Sequence, residues 1–147
     1  MDADRYDDPA REAAWLGEQR GRVEAYLTAQ CVTHGGVADA PAWFVAPYLA
    51  VWPVTSLKSG SPSVGWWVLS GDVPTDYLSS AEGRDAREAM RAFSRRWSDL
   101  ATRMDRGEAH PTMRVGDAER AVELAPLLHA RAKLLRLFAD DDECWDE

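Results

Sequence analysis

One run of the sequence, Val64–Ser70, restricts the possible folds more than any other feature. It reads VGWWVLS and carries two adjacent tryptophans among valine and leucine. Because successive side chains of a β-strand point to opposite faces, both faces of such a strand are apolar. A strand that is apolar on both faces has to be covered on both sides. The sequence therefore predicts a core strand at these residues.

The segment that follows the run is rich in turn-forming residues. It reads Gly71-Asp72-Val73-Pro74-Thr75-Asp76-Tyr77, and Gly, Pro and Asp favour tight turns. Two carboxylates, a hydroxyl and a phenol should therefore meet where the core strand reaches the surface. We treat four of these residues as candidate binding residues: Asp72, Thr75, Asp76 and Tyr77. Turn formation is the favoured role of the two aspartates, since nothing nearby completes a mechanism, and no catalytic residue is assigned.

The preceding segments complete a small sheet. Tyr48–Leu57 has the composition of a strand, and the loop Lys58–Ser63 connects it to the core strand, which predicts an antiparallel hairpin. Val37–Pro47 is expected to be an irregular, apolar connector. An isolated hairpin is barely stable in water, so helices must cover it.

Three main helices are predicted around this hairpin. The first begins at the Asp8-Pro9 pair and ends near Cys31, and the second spans Ala81–Arg106. The third spans Pro126–Ala139, because proline should interrupt any helix that starts earlier. The predicted fold class is α+β in a single domain, 1–147. Residues 1–7 should be frayed, and 140–147 should form an acidic tail.

Tryptophan is unusually abundant, with seven residues in 147. Four of them lie in one central region and are candidate binding residues as well as core residues: Trp43, Trp52, Trp66 and Trp67. Large aromatic side chains most often serve packing. The region is therefore predicted to be a heavy core, an aromatic-lined pocket, or both.

Two glutamines fall on the apolar face of the first predicted helix. Gln19 and Gln30 share this face with Trp15, Val23 and Leu27. Because a buried amide must be hydrogen-bonded, we expect both glutamines to contact turn backbone or each other.

Charge and composition exclude several classes of function. The net charge is −8, which argues against a nucleic-acid partner and is compatible with a basic protein partner. The first residues are acidic and polar, which predicts no signal peptide, and no apolar run is long enough to predict a membrane span. A cytoplasmic location is expected.

Two further features of the sequence bear on possible function, a cysteine–histidine pair and an arginine. Cys31-x-x-His34 has the spacing of half a zinc site, but the second half is missing, so neither a metal nor another cofactor is predicted. His34 is kept as a candidate binding residue. Arg131 lies on a leucine-rich helix face, where an unpaired charge is costly. We therefore predict that Arg131 pairs with Asp72 or Asp76.

Several stretches together resemble a family of small bacterial proteins of unknown function. The likeness covers Pro41–Ser80, Gln19–His34, Arg95–Trp97 and Glu123–Glu147, and its most specific part is SGD-x-PTDY, Ser70–Tyr77. The resemblance implies a bacterial, cytoplasmic protein and supplies no activity.

Two classes of function are left open. The first is a non-catalytic protein-binding module of immunity or regulatory type, with a basic protein such as a toxin as partner. Small size, acidity and missing catalytic motifs favour it. The second is a small enzyme or ligand-binding module, with a tryptophan-lined pocket closed by the Asp72–Tyr77 turn.

Overall fold

The computed structural model of the chain describes residues 8–57, 63–73, 75–106 and 118–145. These residues form three α-helices, a five-stranded antiparallel sheet and two short 3-10 turns. The chain divides into two compact units, Met1–Ala89 and Met90–Glu147. The first unit contains the first helix and the sheet, and the second contains the last helix and most of the second. The predicted α+β class is confirmed. The prediction of frayed residues 1–7 lies outside the described residues.

Helix α1, Pro9–Ala29, begins where the sequence predicts. The Asp8 carboxylate accepts a hydrogen bond from the Ala10 N–H at 3.0 Å, and proline occupies the first helical position. The buried residues recur every four positions and so form one stripe: Trp15, Gln19, Val23 and Leu27. Gln30 is exposed, so its predicted burial is wrong. The helix ends before Cys31, which adopts a positive φ of 58° and is exposed.

The predicted hairpin forms the centre of the sheet. Strand β3, Leu49–Thr55, pairs with β4, Val64–Gly71, in a register that places Trp52 opposite Val68. The outer side of β4 pairs with β5, Asp76–Ser79. The outer side of β3 pairs with two short strands, β1 (Gly36–Val37) and β2 (Trp43–Val45). The segment predicted as an irregular connector therefore adds strands to the sheet.

Pro53 is accommodated in the middle of β3 because its neighbours on the outer side leave a gap there. β1 pairs with Val54 and Thr55, whereas β2 pairs with residues 49–51. The Pro53 carbonyl accepts a hydrogen bond from the Ala38 N–H at 3.1 Å on this side. The donor that proline lacks thus falls where no strand of the described sheet requires it. The register shift in the hairpin lies after this position, between Val54 and Thr55.

Both faces of the central hairpin are buried, as the apolar run predicts. On one face, Trp52, Val54 and Val68 pack in one cluster with residues of α1. The opposite face is buried too: Leu49, Val51, Trp67, Leu69 and Leu78. Trp67 is only 5% exposed, which confirms that one of the paired tryptophans belongs to the core.

Helix α2, Ala86–Asp105, begins later than the sequence predicts. Ser79 instead caps a 3-10 turn, Ser80–Glu82, which ends at Gly83. The helix then starts after Asp85, whose carboxylate accepts a hydrogen bond from the Glu88 N–H at 2.8 Å. Asp85 therefore caps the start of α2, five residues after the predicted start at Ala81.

Helix α3, Ala118–Asp140, passes through Pro126 without a break, so the predicted start of this helix at the proline is wrong. Proline removes one intrahelical hydrogen bond, at a cost of about 3 kcal/mol. Buried residues lie on both sides of the proline: Ala125, which packs with Met104, precedes it, and Ala132, Leu135 and Ala139 follow it at spacings of three and four. A continuous helix buries residues on both sides, which offsets the cost of the proline. None of the described helices is both long and apolar enough to cross a membrane.

The predicted acidic tail begins at Asp140, the last residue of α3, and continues into a 3-10 turn. Asp141 caps a 3-10 turn, Asp142–Cys144, and the Trp145 indole N–H donates to the Phe138 carbonyl at 2.9 Å. Trp145 thus attaches the tail to the end of the helix.

Candidate functional site

The candidate site is a cavity of about 420 Å³ in the first unit, between α1 and the ends of β3 and β4. We call it the Gln19 cavity. Eight of the described residues line it: Trp15, Glu18, Gln19, Arg22, Pro47, Tyr48, Gly71 and Asp72. Four come from α1 and four from the sheet side, so two separate parts of the sequence build it.

The α1 contribution follows from helical spacing. Trp15, Glu18, Gln19 and Arg22 stand at positions i, i+3, i+4 and i+7, which share one face of a helix. Trp15 and Gln19 are buried, at 8% and 3% exposure, whereas Glu18 and Arg22 are exposed. The cavity therefore has an aromatic and amide floor and a charged rim.

The Gln19 side chain carries the most unusual feature of this floor. Its Oε1 is buried and has no hydrogen-bond partner among the described residues. Leaving a buried acceptor unpaired costs about 1–3 kcal/mol, and native structures contain few such groups. The predicted contact of Gln19 with turn backbone or with Gln30 is therefore not formed.

The sheet side of the rim depends on Gly71. This residue has a φ of +128°, and a Cβ added there would collide with the backbone carbonyl of Tyr48. Glycine allows the two backbones to approach, and the Asp72 N–H then donates to the Tyr48 carbonyl at 2.8 Å. This contact fixes Tyr48 and Asp72 side by side at the rim, where both are exposed.

Three charged side chains line the cavity. Glu18 and Asp72 are acidic, and Arg22 is basic, so two negative charges and one positive charge give a formal charge of −1. An Arg22 Nη2 lies 3.7 Å from the Glu18 carboxylate, and Nη1 donates to the Gly71 carbonyl at 3.5 Å. Both distances are long for hydrogen bonds, so Arg22 is held loosely over the rim.

A family model described as a domain of unknown function (DUF4826) matches residues 9–145. The chain belongs to this family. The match runs from the first residue of α1 to Trp145, so the Gln19 cavity lies within the DUF4826 domain. The predicted resemblance to a family of unknown function is confirmed. No curated protein and no solved structure matches the chain.

Within the DUF4826 domain, two of the four candidate tryptophans are core residues. The Trp52 indole N–H donates to the Ser70 hydroxyl at 3.1 Å, and that of Trp67 donates to the Gly83 carbonyl at 2.8 Å. Both side chains are buried, and both polar atoms are bonded inside the protein. Neither lines the Gln19 cavity.

Trp66 and Tyr77 line a separate, mainly apolar groove of about 400 Å³ with Val32, Thr33 and Leu57. Tyr77 also makes an edge-to-face contact with Tyr26, with ring centroids 5.9 Å apart. Trp43 is half-buried at the start of β2, opposite Val51. The candidate tryptophans of the domain are thus divided among the core, the groove and β2.

The Asp72–Tyr77 turn has local roles at several positions. Asp76 accepts a hydrogen bond from the Tyr77 N–H at 2.9 Å, which is the turn role that the sequence favours. Thr75 is half-buried just before β5. Among the described residues of this turn, Asp72 alone lines the Gln19 cavity.

His34 and Arg131 lie outside the Gln19 cavity. The His34 Nδ1 accepts a hydrogen bond from the Gly36 N–H at 2.9 Å, beside the start of β1. Arg131 is half-buried on α3, in the second unit, and its pairing with Asp72 or Asp76 stays a prediction.

The described residues contain no group of three His, Cys, Asp or Glu side chains placed to hold a metal. The prediction that Cys31 and His34 hold no zinc can be tested by metal analysis of the purified protein.

Sequence reasoning missed most of the cavity lining. The sequence places Gln19 on the apolar face of α1, but the role it predicts for this residue is a structural hydrogen bond. The signal that could have identified the site is the presence of three polar residues, Glu18, Gln19 and Arg22, at helical spacing next to the buried Trp15.

Proposed function

We propose that the chain is a non-catalytic binding module whose ligand occupies the Gln19 cavity. The buried Oε1 of Gln19, which lacks a donor among the described residues, carries this proposal. The same residue lines a cavity of about 420 Å³, which is within the size range of small-ligand pockets. A missing donor and a space to bring one in therefore occur at one place.

The ligand has to supply a hydrogen-bond donor. Oε1 is covered by protein atoms in the free chain, so a donor reaches it when the Gln19 amide rotates towards the cavity. This rotation breaks no hydrogen bond to Oε1, because the described residues provide none. The free protein carries the cost of an unpaired acceptor, about 1–3 kcal/mol, and binding removes it. The aromatic side chains of Trp15 and Tyr48 supply apolar contact.

In one form of this function, the ligand in the cavity is a side chain of a partner protein. An immunity-type or regulatory module in a bacterial cytoplasm would meet its target through this surface, and a net charge of −8 favours a basic target. A small enzyme is the alternative class. An enzyme of this size could use the two aspartates of the Asp72–Tyr77 turn as an acid–base pair. Of these two, Asp76 accepts a hydrogen bond from the Tyr77 N–H, and only Asp72 lines the cavity.

Titration with small probes, followed by NMR, tests the proposal. The probes are butyramide and butylammonium chloride, which have N–H donors, and sodium butyrate, which has none. The reporter is the indole N–H resonance of Trp15, identified by its loss in Trp15→Phe. We expect one or both donor probes to shift this resonance, with Kd on the order of millimolar for ligands of this size.

Gln19→Met should abolish the shift, because methionine has a similar volume and no amide. Gln30→Met is the matched control, since Gln30 is on the same segment but exposed, and should leave the titration unchanged. If neither donor probe shifts the Trp15 resonance, or if Gln19→Met binds them as well as the natural sequence, the proposed function is wrong.

A further inference from the structure

Resting on the proposed function, we infer that the Gln19 cavity binds a cationic nitrogen, an alkylammonium or guanidinium group. The Gln19 acceptor requires a donor, but amides, alcohols and cations all provide one. The charges and aromatic rings around this acceptor select among them.

Acidic side chains at the rim favour a positive charge. Glu18 and Asp72 line the same cavity as Gln19, and both are exposed. Charge–charge attraction at exposed positions is modest, and each such carboxylate changes affinity by about two- to fivefold. A cation in the cavity is attracted by both carboxylates, whereas an anion is repelled by both.

The aromatic residues act in the same direction. Trp15 contributes to the floor and Tyr48 to the rim, and aromatic faces attract ammonium and guanidinium groups. Their apolar surface also suits the alkyl stem that carries such a group. The cavity thus combines an uncharged acceptor, two carboxylates and two aromatic rings.

Arg22 is the one cationic side chain among the described residues that line the cavity, and it does not reach the acceptor. Its guanidinium is near Glu18 and the Gly71 carbonyl at 3.7 and 3.5 Å, while Gln19 Oε1 stays unpaired. Arg22 therefore competes with a cationic ligand for Glu18. Removing its charge should strengthen binding of the ligand.

The cation has two possible sources with the same chemistry. It is either a free small amine or the lysine or arginine side chain of a basic protein, and the net charge of −8 attracts both. Two acetylated, amidated pentapeptides separate them, Ala-Ala-Lys-Ala-Ala and its Arg counterpart. Peptide binding equal to or tighter than that of butylammonium indicates a protein side chain, and weaker binding indicates a free amine. Either result supports the cation.

The decisive comparison is between butylammonium and butyramide, measured by the Trp15 titration at low and high salt. We expect butylammonium to bind about fivefold or more tightly, and added salt to reduce this preference. Glu18→Gln and Asp72→Asn should each weaken butylammonium by about two- to fivefold and leave butyramide unchanged. Arg22→Gln should strengthen butylammonium alone. Glu24→Gln, on the same helix but outside the cavity, is the matched control and should change neither.

The outcomes separate this inference from the proposed function. If butyramide binds as tightly as butylammonium and Glu18→Gln has no effect, the cation assignment is wrong while the binding module stands. If neither probe binds, both proposals are wrong. Preferential binding of butylammonium that Gln19→Met does not weaken would also overturn the inference, because the cation would then be held by the rim alone.

Discussion

Two buried polar groups of the first unit are in opposite situations. In the middle of the sheet, the Trp52 indole N–H donates to the Ser70 hydroxyl at 3.1 Å, and both residues are 0% exposed. On α1, Gln19 is 3% exposed, yet its Oε1 has no partner among the described residues. The first group is fully surrounded by core, whereas the second lines a cavity.

The presence or absence of a hydrogen-bond partner distinguishes a polar group that stabilises the fold, such as the Trp52 N–H, from the Gln19 Oε1, which we propose binds a ligand. A paired polar group inside a core adds stability and fixes one arrangement of its neighbours. An unpaired buried acceptor lowers the stability of the folded protein and contributes nothing to its packing. The central pair therefore contributes to the stability of the sheet, and the Gln19 amide is where we propose that a ligand binds.

The largest effect should come from the centre of the sheet. Trp52→Ala removes a fully buried indole and leaves Ser70 without its donor, and we expect a loss of about 3–5 kcal/mol in the free energy of unfolding. Trp15→Ala should cost less, because Trp15 already borders a cavity. Urea unfolding followed by circular dichroism measures both. An equal loss at the two positions would mean that the cavity floor is packed as tightly as the core.

A smaller effect is expected from Ser70→Ala, which keeps the packing but leaves the Trp52 N–H unpaired. The expected loss is about 1–3 kcal/mol. The matched control is Ser94→Ala in the second unit. Ser94 is also buried, but it donates to the Ala132 carbonyl, which belongs to helix α3 and can keep its helical hydrogen bond. That change should cost under about 1 kcal/mol. Equal losses would show that pairing of the indole does not distinguish the sheet centre.

The sequence predicted the fold better than the site, for reasons that these residues illustrate. The run Val64–Ser70 is apolar on both faces, so burial of β4 follows from composition and period alone. The Gln19 cavity depends on a close approach between Gly71 and the Tyr48 carbonyl, which brings residues far apart in the chain to α1. No local pattern encodes that distance. Helix α3 is a similar case, because burial of Ala125 before Pro126 and of Leu135 after it outweighs the local cost of proline.

The smallest effect, and the sharpest test of the comparison, is expected at Gln19. Gln19→Met replaces an amide whose oxygen is unpaired by an apolar side chain of similar volume. The free energy of unfolding should rise by about 1 kcal/mol, since an acceptor that costs about 1–3 kcal/mol is removed and the different shape of methionine offsets part of the gain. Gln30→Met, at an exposed position, should change it by less than about 0.5 kcal/mol. A loss above about 1 kcal/mol in Gln19→Met would mean that Oε1 accepts a hydrogen bond inside the folded protein. Gln19 would then resemble the Trp52–Ser70 pair, and the cavity would lose the feature that distinguishes it from ordinary surface.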